Sequence, residues 1–149
     1  LEIVNTYKPP FKEPFVEHLV PVSPSEAAWK WATHVLRPVG DEGTVRVTIV
    51  DARLVGEALD VNQDLKSLFT AEQAARYDAR IEITIDILDD RRISRAYVSG
   101  EATASSTVSE DASLAGRDEI MIELMDTLLG TLHPAITRQI EQFLEPYLR

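Results

Sequence analysis

The sequence predicts an α+β fold, a two-layer sandwich in which an antiparallel sheet carries long helices on one face. Three observations predict it. Ile81, Ile83, Ile85 and Ile87 alternate with Arg80, Glu82, Thr84, Asp86 and Leu88, the period of a strand with one face on a core and one in water. Beyond the charged turn Asp89-Asp90-Arg91-Arg92, the run Ile93 to Val108 continues in the same style with mostly small residues, which makes an antiparallel hairpin. Leu114, Met121, Met125, Leu128 and Leu132, with Leu124 beside them, then recur at helical spacing.

The elements follow in chain order. Residues 1–13 read as an extended N-terminal tether, and 14–149 as a single domain. Pro9, Pro10, Pro14 and Pro21 keep the first stretch extended and out of a sheet centre. Phe15, Val16, Leu19, Val20 and Val22 are apolar enough to dock at a sheet edge. Ser23-Pro24-Ser25-Glu26 is a helix start, with Ser23 as cap, Pro24 in the first turn and Glu26 closing a capping box. That helix runs to about Leu36, before Pro38, and Gly40 and Gly43 make the turn.

Thr44 to about Leu54 is the next strand, with Val45, Val47 and Ile49 on one face. Val50 and Ala52 break the alternation and point to a bulge or two-sided burial. Residues 56–68 read as irregular. Thr70-Ala71-Glu72-Gln73 is a second capping box, with Phe69 stapling onto Ala74, and predicts a short helix ending near Tyr77.

Ser109 reads as the start of the long helix, with Glu110 and Asp111 complementing its positive end. Pro134 is expected to kink or divide it, because its ring opposes the carbonyl of Gly130. Ile136, Ile140, Phe143 and Leu144 form the stripe of the last segment. Ala96, Val98, Gly100, Ala102 and Ala104 share one strand face, and their small side chains would let a helix approach the sheet closely. The opposite face, rich in Arg, Glu, Thr and Ser, is expected to be wet.

Composition narrows the function. A net charge of -10 argues against a nucleic-acid groove, which needs clustered Lys and Arg, and against adhesion to anionic lipid by charge. No apolar run is long enough to span a bilayer. The 149 residues hold no cysteine, so disulfides, thiolate metal sites and a cysteine nucleophile are absent from the chain as given.

No constellation of catalytic or metal-ligating type stands out, and no cofactor is implied. His18, His34 and His133 lack metal-ligand spacing. His34 shares a polar helix face with Glu26, Lys30 and Arg37, and His133 is placed to meet carbonyls near a helix end. Asp60-x-Asn62-x-Asp64 begins like a calcium loop but continues with Leu65 and Ala71 where glycine and glutamate are required. Asp86, Asp89 and Asp90, beside Arg91 and Arg92, read as a decorated hairpin end. Ser105 and Ser106 lack a nucleophile elbow, and the acids in Gly40-Asp41-Glu42-Gly43 would repel phosphate.

Trp29 and Trp31 point about 200° apart on a helix. Trp31 falls with Ala27, Ala28 and Val35 and reads as buried. Trp29 lies towards Thr33 and Leu36, at a boundary where indole suits a contact, or else under cover of the N-terminal arm. Trp29, Phe15 and Leu36 are the candidate binding residues.

The arm Pro14-Phe15-Val16-Glu17-His18-Leu19-Val20-Pro21-Val22-Ser23-Pro24, the segment Val50-Asp51-Ala52-Arg53 and the run from Leu68 to Asp78 together resemble an uncharacterised group of proteobacterial envelope proteins of lipoprotein type. The element order is similar to that of the lipopolysaccharide-assembly lipoprotein and of the lipoprotein partners of lipid ABC transporters. The resemblance implies a periplasmic domain tethered by a lipidated cysteine upstream of Leu1. It brings no activity with it.

The expected function is therefore a non-enzymatic periplasmic domain that binds an envelope protein partner or a lipid-like ligand. One alternative is a small hydrolase, for which some of Asp51, Glu82, Asp86 and His34 would converge in a deep pocket. The other is an oligomerisation module working through Trp29 or the helix from Ile136 to Leu148. Oligomeric state is open at this level.

Overall fold

The computed structural model describes residues 1–59 and 73–148. Four strands form one sheet in the order β1-β2-β3-β4: Glu2–Asn5 (β1), Thr44–Ala58 (β2), Gln73–Leu88 (β3) and Ser94–Ser109 (β4). Two helices, Pro24–Val35 (α1) and Leu114–Phe143 (α2), pack on its apolar face. The fold is the expected α+β sandwich, but its sheet is mixed. β1 pairs parallel with β2, Ile3 opposite Val47, while the other pairs are antiparallel.

The first residues are thus more than a tether. The arm is extended, yet residues 2–5 are a sheet strand, because Ile3 gains burial against the core when it extends the inner face. Prolines 9, 10 and 14 begin only after this strand. The arm then returns to β2, where Val16 donates to Leu54 O and Gly56 donates to Pro14 O, each at 2.9 Å. This is the edge docking expected of Phe15 and Val16.

The β2 bulge lies between Ile49 and Asp51. It shifts the inward phase by one residue, so Val47 and Ile49 point to the core before it, and Ala52 and Leu54 after it. A uniform strand would have placed Asp51 inside. Ile81, Ile83 and Ile85 line the centre of the same face, fully buried.

Helix α1 begins as the sequence dictates. Glu26 N donates to Ser23 Oγ at 3.2 Å, and Ser23 N donates to Glu26 Oε2 at 3.0 Å. Its buried face is Pro24, Ala27, Ala28, Trp31 and Ala32. Val35, expected beside Trp31, is exposed because the helix ends there.

Three expectations fail for traceable reasons. The helix ending near Tyr77 is absent from residues 73–77, which belong to β3; Thr70 to Glu72 and the Asp60-Asn62-Asp64 motif lie outside the described residues. This stretch pairs on both sides, Tyr77 with Gly56 and with Ser106, and two ladders override an Ala-rich helical preference. The long helix starts four residues late. β4 continues to Ser109 because Val108 still has a core to enter. Ser113 is the cap instead, its Oγ accepting from Gly116 N at 3.0 Å, so Glu110 and Asp111 precede the helix and Leu114 points to solvent. Finally, Pro134 does not divide the long helix: it lies inside one unbroken α2. The residue it opposes, Gly130, is exposed, so water can take the carbonyl that loses its partner.

The core stripe of α2 is Met121, Leu124, Met125, Leu128, Leu132 and Ile136, all buried; Leu144 follows it and Phe143 is exposed. The helix rests chiefly on β4. There the small face formed by Ala96, Val98, Gly100, Ala102 and Ala104 lets it come close. A Cβ on Gly100 would stand 2.8 Å from Ile136 Cδ1 and 3.3 Å from its Cβ. Gly100→Ala is therefore expected to destabilise the fold by about 1–3 kcal/mol in urea unfolding. The loss should shrink in an Ile136→Val background, which removes the nearest atom.

Candidate functional site

The buried polar residue of the described core is Glu17, 4% exposed, on a 3-10 turn of the arm. Its Oε1 accepts from the Tyr7 hydroxyl and, at 3.3 Å, from Leu54 N. Leu54 O already accepts from Val16. One carboxylate thus joins two parts of the arm to the edge of β2 and satisfies a strand amide that would otherwise be orphaned. Oε2 is buried with no hydrogen-bond partner among the described residues. Burial first, and the neighbouring Glu17 second, push the Tyr7 hydroxyl above its usual value of 10.0.

The open face of the sheet carries an ion network built on the bulge. Arg53 and Arg80 stand directly opposite each other on β2 and β3, an arrangement that repels. Asp51, turned outward by the bulge, bridges them at 2.7 Å to Arg53 and 3.2 Å to Arg80. Arg80 also meets Glu82 at 3.2 Å and Glu101 on β4 at 2.5 Å. Glu101 foremost raises the Arg80 pKa, so the guanidinium stays charged. At the hairpin end, Asp89 accepts from Arg91 N and Ile93 N, each at 2.9 Å, and pairs with Arg95. These contacts, the Ile93 amide first, hold its carboxyl below the usual range. Glu2 is likewise lowered, by Arg92 and then Arg46.

The four residues of the hydrolase alternative do not meet in one pocket. Asp51 and Glu82 share Arg80, Asp86 accepts from Ser94 Oγ at 2.9 Å, and His34 is exposed on α1 with Nδ1 2.7 Å from Lys30 O. Of the four, Asp51 and Glu82 are engaged in surface ion pairs. Among the described residues no three His, Asp or Glu side chains gather as a metal site, and no helix is long and apolar enough to cross a membrane. His133 does not bind the helix-end carbonyls expected of it. Its Nδ1 accepts from Trp31 Nε1 at 3.3 Å and links the two helices.

The three candidate binding residues take separate roles. Trp29 is 53% exposed on the outer side of α1, and the arm does not cover it. Phe15 is half-buried and bridges Val55 at the edge of β2. Leu36 caps α1 and is half-buried against the core.

The two edges of the sheet differ. β1 and residues 14–16 occupy the β2 side. On the other side, no described element pairs with the outer edge of β4. Its polarity follows from the ladder. Thr6 N donates to Ile49 O at 3.0 Å, so Ile49 turns its backbone away from β3. Successive residues point to alternate sides. Thr48 therefore bonds Thr84, Ile83 bonds Gly100, and the odd-numbered residues of β4 from Tyr97 to Thr107 direct N–H and C=O outward. The arm bonds at Leu54 and Gly56 give the same phase beyond the bulge. Beside this edge lies a groove of about 570 Å3, walled by Ser99, Gly100 and Glu101 on β4 and by Ala135, Arg138, Gln139 and Gln142 on α2. A second shallow depression, about 590 Å3, lies on the open face around Arg53, Arg76 and Arg80.

Sequence reading missed Glu17, the Arg80 hub and the bare edge. A lone acid within the apolar run from Phe15 to Val20 was the available signal for the first. Comparison with protein families, curated proteins and solved structures finds no match for this chain.

Glu17→Ala leaves the Tyr7 hydroxyl and the Leu54 amide without their acceptor, and should cost about 2–3 kcal/mol in urea unfolding. Glu17→Gln, which keeps an acceptor oxygen, should cost less. A raised tyrosine pKa stabilises the fold fully below the ordinary tyrosine range, and that contribution is lost as pH rises above it. Spectrophotometric titration should therefore show a late phenolate transition, which Tyr7→Phe removes together with part of the alkaline unfolding.

Proposed function

We propose that this chain is a non-enzymatic, periplasmic binding domain, tethered to the membrane through residues preceding Leu1, whose ligand is another envelope protein. The observation that carries the binding part of this reading is the β4 edge. Along this sixteen-residue strand, the odd-numbered residues from Tyr97 to Thr107 carry outward backbone donors and acceptors that no described element pairs. Soluble proteins commonly blunt such edges with lysine, proline or a covering segment. β4 contains neither lysine nor proline.

The groove chemistry favours a protein partner over a lipid-like ligand. Arg138, Gln139, Gln142, Glu82 and Glu101 line the edge groove, whereas a lipid-like ligand calls for a mostly apolar cleft. The non-enzymatic part is supported by Asp51, Glu82 and Glu101 on the open face, which are held by arginines on a shallow surface. The envelope setting is supported by the resemblance of the arm and of the segments around Asp51 and Tyr77.

The test of the setting is fractionation of cells producing the full gene product with its native leader. The processed protein is expected in the periplasmic or membrane fraction. Cytosolic recovery, unprocessed and unlipidated, refutes the reading.

A further inference from the structure

The geometry points to strand addition at β4: we propose that its outer edge, unpaired among the described residues, binds with the groove beside it an extended, basic segment of a partner protein. This rests on the protein-binding reading above and gives it a place and a mode.

The backbone sets the mode. An added strand finds outward N–H and C=O groups at Tyr97, Ser99, Glu101, Thr103, Ser105 and Thr107, all with exposed side chains. Main-chain bonds supply affinity in such complexes, and pockets for alternate side chains supply selectivity. Here the alternate positions differ in chemistry. Side chains on the inner side of an added strand would enter the groove over Ala135, beside Arg138, Gln139 and Gln142. Those on the outer side would come alongside Glu101, with Glu82 one strand further in.

Charge selects the segment. Asp51, Glu82 and Glu101 share Arg53 and Arg80, so the cluster is one negative charge in excess. The protein as a whole carries -10. A lysine or arginine on the outer side of the incoming strand would complete the cluster, and the overall field would steer a basic segment to it.

A second copy of this chain fits the edge poorly. Paired strands lie about 4.8 Å apart, whereas packed helices need about 8–10 Å between axes. α2 rests chiefly on β4 itself. Two-fold pairing of β4 with β4 would drive the two α2 helices together. An extended segment brings no helix with it.

Proline separates binding from folding. Thr103 directs its N–H outward, so Thr103→Pro removes an edge donor while leaving the ladder to β3 intact, as proline on edge strands does. The probe is a displayed library of random segments of about ten residues, matched to the edge at ~3.4 Å per residue. Selection on the wild-type domain should enrich sequences with Lys or Arg at alternate positions. Their binding should protect the odd-numbered β4 amides from hydrogen exchange. Thr103→Pro, and separately Glu101→Lys, should each weaken the selected segments about tenfold or more, a change of ~1.4 kcal/mol. The second variant keeps every backbone donor and serves if the first unfolds.

No enrichment, or binders indifferent to both variants, would overturn the inference. A dimer in light scattering that Thr103→Pro dissolves would assign the edge to a second copy and overturn it as well. Binders indifferent to both variants leave the protein-binding reading standing and remove only the edge from it. The envelope reading fails independently, by cytosolic recovery in fractionation.

Discussion

The seat of Ile136 on Gly100 is the contact on which the rest of the fold depends. α2 can lie flat on β4 only because this strand presents small side chains inward, with none at Gly100. Close approach places Met125, Leu128 and Leu132 in one core with the isoleucines of β3. It also sets the height at which α1 must pack. Trp31 fills the remaining space between the helices and reaches His133 on α2. A larger residue at position 100 would lift the helix and loosen every contact downstream of it, because interiors packed at crystal-like density transmit displacement.

The bulge after Ile49 is the second constraint, and it couples the two faces. By slipping the phase of β2 it keeps Ala52 and Leu54 in the core. The same slip turns Asp51 to the open face, between two arginines that would otherwise repel across the ladder. The wet face thus carries a cluster of paired charges with one acid in excess. Such pairs add little stability individually where they are exposed. Their larger effect is to fix which surface positions carry uncompensated charge.

The asymmetry of the edges gives the molecule a direction. One side is closed by β1 and by the arm, fastened through the buried Glu17 carboxylate. The other is a long strand followed at once by the helix that covers its inner face, with the outer backbone unpaired among the described residues. A strand closed on one side and open on the other grows in one direction only.

Much of the local structure was legible in the sequence. The capping box at Ser23 and Glu26, the isoleucine alternation of β3, the disturbance at Val50 and the small face of β4 are patterns written within a few residues, and short-range sterics and periodicity enforce them. What failed did so where distant pairing outweighed local preference. Residues 73–77 read as helix but lie between two strands, and Ser109 reads as a cap but stays in the sheet while Val108 is buried. The contacts of the candidate surface belong to the same class. Glu17 meets Leu54, Arg80 gathers acids from three strands, and β4 becomes an edge only because β1 and the arm joined the sheet on the far side. The sequence by itself determined which faces are apolar and where α1 begins, since those depend on neighbours along the chain. Only the tertiary structure decided which backbone groups remain unpaired and which charges meet, since those depend on residues brought together across the sheet.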